Sequence, residues 1–174
     1  MKRFLTTTSL FLTLSLTAAH AGDEMKIHPD CKTSTFPEVC TRMVNQIIGE
    51  LTFFNEVFAN GGSNEAAQAA EFYHPLATLY TNASGRFYIG RQDIERNFFV
   101  PFVAAIKTAK VNFESFHYSV IDFETVVAYG SLTANGTFKD GTTFMQPPLP
   151  QTVTFVRNAR YDAKRPFLII SDHE

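Results

Sequence analysis

Proton transfer near neutral pH needs a carboxylate or imidazole held away from bulk water, and a hydrogen-bond donor facing the oxygen on which charge develops. On segments that read as strands, the chain supplies a short set of such groups: Tyr80, Tyr88, His117, Tyr118, Tyr129, Asp172 and His173. His117, in mid-strand, is the candidate catalytic imidazole because an unperturbed histidine titrates close to neutrality. Asp172 is the candidate carboxylate. Tyr80, Tyr88, Tyr118, Tyr129 and His173 are candidate pocket groups, able to donate to a ligand but equally at home on ordinary strands and sheet edges. Asp172 and His173 are adjacent on one strand and therefore face opposite sides, so at most one of them enters an interior.

Other chemistries lack their residues. The histidines at positions 20, 28, 74, 117 and 173 show no ligand spacing, so no metal site is expected. Neither a glycine-rich phosphate loop nor a nucleophile elbow is present, and no cofactor is expected. A formal net charge of −2 leaves no basic face for nucleic acid. Cys31 and Cys40, an even pair at short spacing, read as a disulfide and not as a Cys-x-x-Cys redox pair. The chain-entropy model gives such a short loop at most about 2.7 kcal/mol of stabilisation.

The N-terminus sets the compartment. Met1, Lys2 and Arg3 precede an apolar run from Phe4 to Leu16, and Ala19-His20-Ala21 forms a small-x-small cleavage site, the layout of a secretory signal over residues 1–21. The run is too short and too rich in Thr and Ser for a spanning helix, which needs roughly 20 apolar residues. Periplasmic or secreted localisation is expected, with no membrane attachment after cleavage. Residues 22–35 read as an N-terminal segment pinned by the Cys31–Cys40 bridge, and 36–174 as one domain of ordinary size.

The elements that must hold the candidate groups follow from periodicity. Thr35-Phe36-Pro37-Glu38 has the Thr-x-x-Glu pattern of a capping box with Pro in the first turn. Val44, Ile47, Leu51, Phe54 and Phe58 continue one apolar stripe to a stop at Asn60-Gly61-Gly62, a helix of about 24 residues and about 36 Å. An Ala-rich helix is predicted over 65–73, closed by Pro75. Strands are predicted over 77–81 and 86–89. Gly90 then leads into a third helix with Ile94, Phe98, Phe102 and Ile106 on its apolar face, interrupted near Asn97 by Pro101. Four further strands are predicted: 111–121, where Phe113 and Phe116 fall on opposite parities, so that either both faces are covered or a bulge near Ser115 shifts the register; 126–138, small on one face at Ala128, Gly130, Ala134 and Gly136; 151–161; and 167–172. Asp140-Gly141 marks a tight hairpin returning through 142–145. Pro147-Pro148-Leu149-Pro150 reads as a rigid surface loop.

Helix, helix, hairpin, helix and a run of long strands is an α+β order, with helices gathered on one side of a curved sheet. In that order the chain resembles the NTF2-like superfamily, in its SnoaL-like and calcium/calmodulin-kinase association-domain-like branch. The resemblance is carried by Gly90-Arg91-Gln92-Asp93-Ile94, Val126-Val127-Ala128-Tyr129-Gly130, Gln151-Thr152-Val153-Thr154-Phe155-Val156-Arg157 and Phe167-Leu168-Ile169-Ile170-Ser171-Asp172-His173. It implies a cone of three N-terminal helices on a strongly curved, mostly antiparallel sheet, enclosing a pocket and often dimeric through the exposed sheet face. The same scaffold serves ketosteroid isomerases, scytalone dehydratase, polyketide cyclases and purely associative modules, so fold alone does not decide function.

Two functions remain open on the residues. One is an exported, homodimeric binding module whose pocket takes an apolar small molecule, or which binds a protein. The alternative is a cofactor-free isomerase, dehydratase or cyclase acting by general acid-base chemistry. Eighteen phenylalanines and no tryptophan are consistent with a core wrapped around an apolar pocket as well as with an ordinary packed core, and favour an apolar ligand slightly.

Overall fold

A computed structural model describes residues 25–59, 64–82, 84–158 and 165–173. The proposed signal, the Asn60-Gly61-Gly62 stop and the turn after residue 158 lie outside the described residues. Helix α1 spans Pro37–Val57 and α2 spans Glu65–Ala70. Strands β1 (Tyr73–Thr81) and β2 (Arg86–Ile89) form a hairpin. A third helical stretch runs as α3 (Arg91–Ile94), a π turn (Glu95–Phe99) and α4 (Val100–Ala105). Strands β3 (Ile106–Val120), β4 (Thr125–Phe138), β5 (Thr143–Arg157) and β6 (Phe167–His173) complete a six-stranded sheet ordered β2-β1-β6-β5-β4-β3. All neighbours are antiparallel except β1 and β6. The architecture is the expected α+β arrangement.

The α1 stripe is buried as its spacing predicts, with Val44, Ile47, Leu51, Phe54 and Phe58 all in the core. Its start differs from the expected capping box: Phe36 is the N-cap residue and makes no side-chain cap. The disulfide between Cys31 and Cys40 instead ties the preceding turn to the first turn of α1. His28 N–H donates to Thr41 Oγ1 at 3.0 Å, a second tie to α1. Asp30 fastens the same segment to the sheet, its Oδ2 accepting from Tyr118 N–H at 2.8 Å.

The third helical stretch is interrupted where Pro101 removes a backbone donor. The π turn occupies Glu95–Phe99, directly ahead of α4, so the wider bonding falls where Pro101 withholds its N–H. The bulge in β3 falls where the parity change requires it. Register shifts between Glu114 and His117, and Ser115 takes φ 54°. Phe113 and Phe116 then both pack against the core although they are an odd number of residues apart.

Two expectations are corrected. Strand β1 begins at Tyr73, not Ala77, and α2 ends correspondingly early. Pro75 sits in a register irregularity between Tyr73 and Thr78, where no ladder N–H is needed. The proline run is not a loop but part of β5. Leu149 pairs with Leu132 and Gln146 with Ala134, so Pro147 and Pro148 together face the single residue Thr133. Strand β6 joins β5 only from Thr152 onward, so among the described residues the first half of β5 has a neighbour on one side and tolerates residues without N–H.

The small residues of β4 allow close approach of the bulged strand. A Cβ built on Gly130 would lie 2.5 Å from Phe116 Cδ2, 2.8 Å from the Glu114 carbonyl oxygen and 2.9 Å from Phe116 Cα. Two of those atoms are backbone, so relief requires moving the bulge itself. Gly130→Ala should therefore lose about 1–3 kcal/mol of stability, read as a lower midpoint with an unchanged slope in urea unfolding; an unchanged midpoint would contradict the packing.

Candidate active site

In β5, Gln151, Val153 and Phe155 alternate onto the buried face of the sheet while Thr152 faces out. In β6, Ile169 pairs with Phe155 and Ser171 with Thr154, leaving Ile170 as an extra residue in the register. That bulge lets Ile169 and Asp172, three positions apart, both point inward. Strand β1 reaches β6 in parallel, with Tyr73 beside Ile169 and Leu79 beside Asp172. The irregularity at Pro75 separates these two pairings.

These features bring together three side chains from three strands. The Tyr73 hydroxyl donates to Asp172 Oδ2 at 2.7 Å, and Gln151 Nε2 donates to Asp172 Oδ1 at 2.6 Å. All three residues are buried. The Gly90-Arg91-Gln92-Asp93-Ile94 stretch holds the first of them. Gly90, at φ 85°, donates its N–H to the Ala77 carbonyl, and Arg91 Nε donates to the Tyr73 carbonyl at 2.6 Å. Asp93 ties the stretch to β2 and to its own helix, accepting from Ile89 N–H and from Asn97 Nδ2.

Burial pushes the Asp172 carboxyl above the usual aspartate range, against the two donors and the nearby His173, which pull it down. Desolvation is the largest cause. Both partners donate to the ionised carboxyl; once Asp172 carries its proton, the Tyr73 hydroxyl can turn to accept it, so the proton is shared between acid and phenol. The group can then donate to, or exchange a proton with, a molecule brought beside it. A chain of packed rings leads away from the phenol: the Tyr73 ring lies 5.8 Å from Phe99, which lies 6.2 Å from Phe54, itself 6.0 Å from Phe113.

The other candidates divide by face. Tyr88 and Tyr118 are buried, in the register row Tyr88, Leu79, Asp172, Val153, Ala128, Tyr118. Neither is adjacent to Asp172. The Tyr88 hydroxyl donates to Ser84 Oγ at 3.4 Å, and Tyr118 lies three strand spacings from Asp172, roughly 14 Å. Burial, with Asp30 nearby, pushes the Tyr118 phenol up to about 12, so it stays neutral at physiological pH.

His117, Tyr129, Thr152, His173, Tyr80 and Phe87 form the next row, on the opposite face. His117 is 61% exposed, its ring 5.4 Å from that of Tyr129 and its Nδ1 3.5 Å from Asp30 Oδ1. The structure thus places the two candidate catalytic residues on opposite faces of the sheet. Pleat parity is the reason: His117 and Asp172 sit in neighbouring register rows. Tyr80, Tyr129 and His173 leave the interior on the same grounds. Tyr73 and Gln151 had not been singled out. Gln151 was legible as a polar residue in phase with inward Val153 and Phe155, whereas Tyr73 was hidden by its assignment to α2. Among the described residues no cluster of three or more metal-ligating side chains occurs.

Asp172 gives a pH signature. A buried acid with a raised folded-state pKa contributes stability that is complete below its unfolded pKa and is lost as pH rises through the folded value. Asp93, Asp122 and Asp140, whose local hydrogen bonds lower them, act with opposite sign, but equally in wild type and variant. The difference in melting temperature between Asp172→Asn and wild type should therefore grow in favour of the variant as pH rises from the ordinary aspartate range. Thermal unfolding across pH measures it, and a difference independent of pH would exclude the raised carboxyl.

No family model and no curated protein matches the sequence. Solved structures do match the fold. A protein assigned as a calcium/calmodulin-dependent protein kinase II association domain from Xanthomonas campestris is 22% identical over 76% of this chain and 84% of its own, with a TM-score of 0.60. A protein assigned as a scytalone dehydratase from Novosphingobium aromaticivorans is 8% identical over 78% and 85%, with a TM-score of 0.59. An NTF2-like superfamily protein from Salmonella enterica is 11% identical over 78% and 89%, with a TM-score of 0.57. With the curved sheet, the helices on its inner face and these likenesses together, the chain has the NTF2-like fold.

Proposed function

We propose that this protein is a cofactor-free acid-base enzyme of the isomerase, dehydratase or cyclase kind, acting on a small apolar molecule in the interior of the cone. Asp172 exchanges the proton and Tyr73 donates a hydrogen bond beside it. The observation that carries this reading is a desolvated carboxyl within hydrogen-bond distance of a phenol, in an otherwise apolar interior. An apolar binding site gains nothing from such a group, because burying a carboxyl is costly and its two donors only partly offset the cost. General acid-base catalysis requires one, with its pKa shifted toward the working pH. Likeness to a protein assigned as a scytalone dehydratase supports the reading at the level of fold only.

The test is proton exchange in D2O with a panel of steroid enones and aromatic polyketide analogues, followed by NMR at the acidic C–H. Wild type should catalyse exchange, Asp172→Asn should lose roughly 10²–10⁴-fold, and Tyr73→Phe should lose about tenfold or more. Ligands that raise the melting temperature without any exchange would instead favour a binding module. No thermal shift with any ligand would sink both readings.

Export and self-association belong to the same proposal. The Cys31–Cys40 bridge suits an oxidising compartment. The outward row of Phe87, Tyr80, His173, Tyr129 and His117, with Phe87 and Tyr129 more than half or half exposed, suits a two-fold partner on that face. Protein expressed with its own N-terminus should have the mass of a chain beginning at Gly22 with both cysteines oxidised. It should sediment as a dimer, and Tyr129→Lys should shift it to monomer. A retained N-terminus would overturn export, and a wild-type monomer the association.

A further inference from the structure

Gln151 Oε1 is buried and has no hydrogen-bond partner. Native interiors pair nearly all such atoms, so an orphan beside a buried acid asks for an explanation. With the carboxyl ionised the amide is held in one orientation, Nε2 donating to Asp172 Oδ1 at 2.6 Å. Turning it over would set two acceptor oxygens against each other whenever the carboxyl is ionised. Its cross-strand neighbour on β4 is Gly130, which brings no side chain to it.

From this geometry we infer that Gln151 is the ligand-selecting residue of the site, and that the molecule bound there presents a hydroxyl or N–H donor to Gln151 Oε1 from an otherwise apolar ring frame. The donor is required by the orphaned acceptor. The apolar frame is required by the buried neighbours of the acid, the Tyr73 ring and the cross-strand Leu79 and Val153. The same amide thus does two things: one end holds the acid and the other reads the ligand. A compound with the donor capped would leave Oε1 buried and unpaired, and discrimination by such a group is strong because the unpaired state is the costly one. This inference rests on the proposed interior site, but not on turnover there.

The probes are 1-naphthol and 1-methoxynaphthalene, which share the ring frame and the oxygen and differ in the O–H. Titrated into the full chain and followed by calorimetry, wild type should prefer 1-naphthol by about tenfold, the effect of one buried hydrogen bond. In Gln151→Met the preference should vanish, chiefly through a gain in affinity for the methoxy compound, which no longer strands a buried acceptor; a merely structural role would weaken both probes alike. A second readout needs no variant: the Gln151 side-chain amide resonance of wild type should shift with 1-naphthol and not with the methoxy compound. Equal affinity of wild type for both probes, or a preference that survives Gln151→Met, would overturn the inference while leaving the interior site intact. Binding of neither probe would overturn the interior site and this inference with it.

Discussion

A carboxyl taken out of water must be met by donors, and the Asp172 carboxyl is met from two directions, by Tyr73 on β1 and Gln151 on β5. The topology makes this possible. Among the described strands, β6 lies between the two, paired in parallel with β1 on one side and antiparallel with β5 on the other. Each flanking register carries an irregularity close to the site, at Pro75 in β1 and at Ile170 in β6, and these set which side chains point inward. The Arg91 contact to the Tyr73 carbonyl and the turn at Gly90 then fix the start of β1 from outside the sheet. Moving any one of these would leave a buried acid short of a partner, which costs more than the hydrogen bond is worth when made.

A second buried charge is handled differently. Arg165 pairs with Glu50 of α1 at 3.1 Å while its guanidinium lies 3.7 Å from the Phe72 ring centroid. This couples the start of the last strand to the helical layer by charge and stacking together. Phe72 is also the residue before Tyr73, and its carbonyl accepts from Ile169 N–H. The segment that delivers the phenol to the acid is thereby held from the helix side and from β6.

Periodicity made the architecture legible where one period persisted. The α1 stripe, the hairpin strands, the π interruption ahead of Pro101 and the bulge at Ser115 each left a local mark in the sequence. The β1 boundary left none, because Glu65–Tyr73 is composed like a helix and the parallel contact that pulls Tyr73 into the sheet comes from residues almost a hundred positions away. The proline run misled for a related reason: whether a strand position needs its N–H depends on the length of a neighbouring strand. Within the site, alternation correctly admitted only one of Asp172 and His173 to the interior. It could not relate the parity of His117 to that of Asp172, since the phase between strands is set by the ladder and not by either strand alone.

Among the described residues the first half of β5 is bordered on one side, and this bears on the protein's solubility. A strand bordered on one side offers a template on which another chain can add, the step by which folded sheets seed fibrils. Here that stretch carries Pro147, Pro148 and Pro150, which have no amide hydrogen to offer an incoming chain. The rigidity that made the segment read as a loop therefore works as a guard, stopping the sheet from being extended by other molecules along that border.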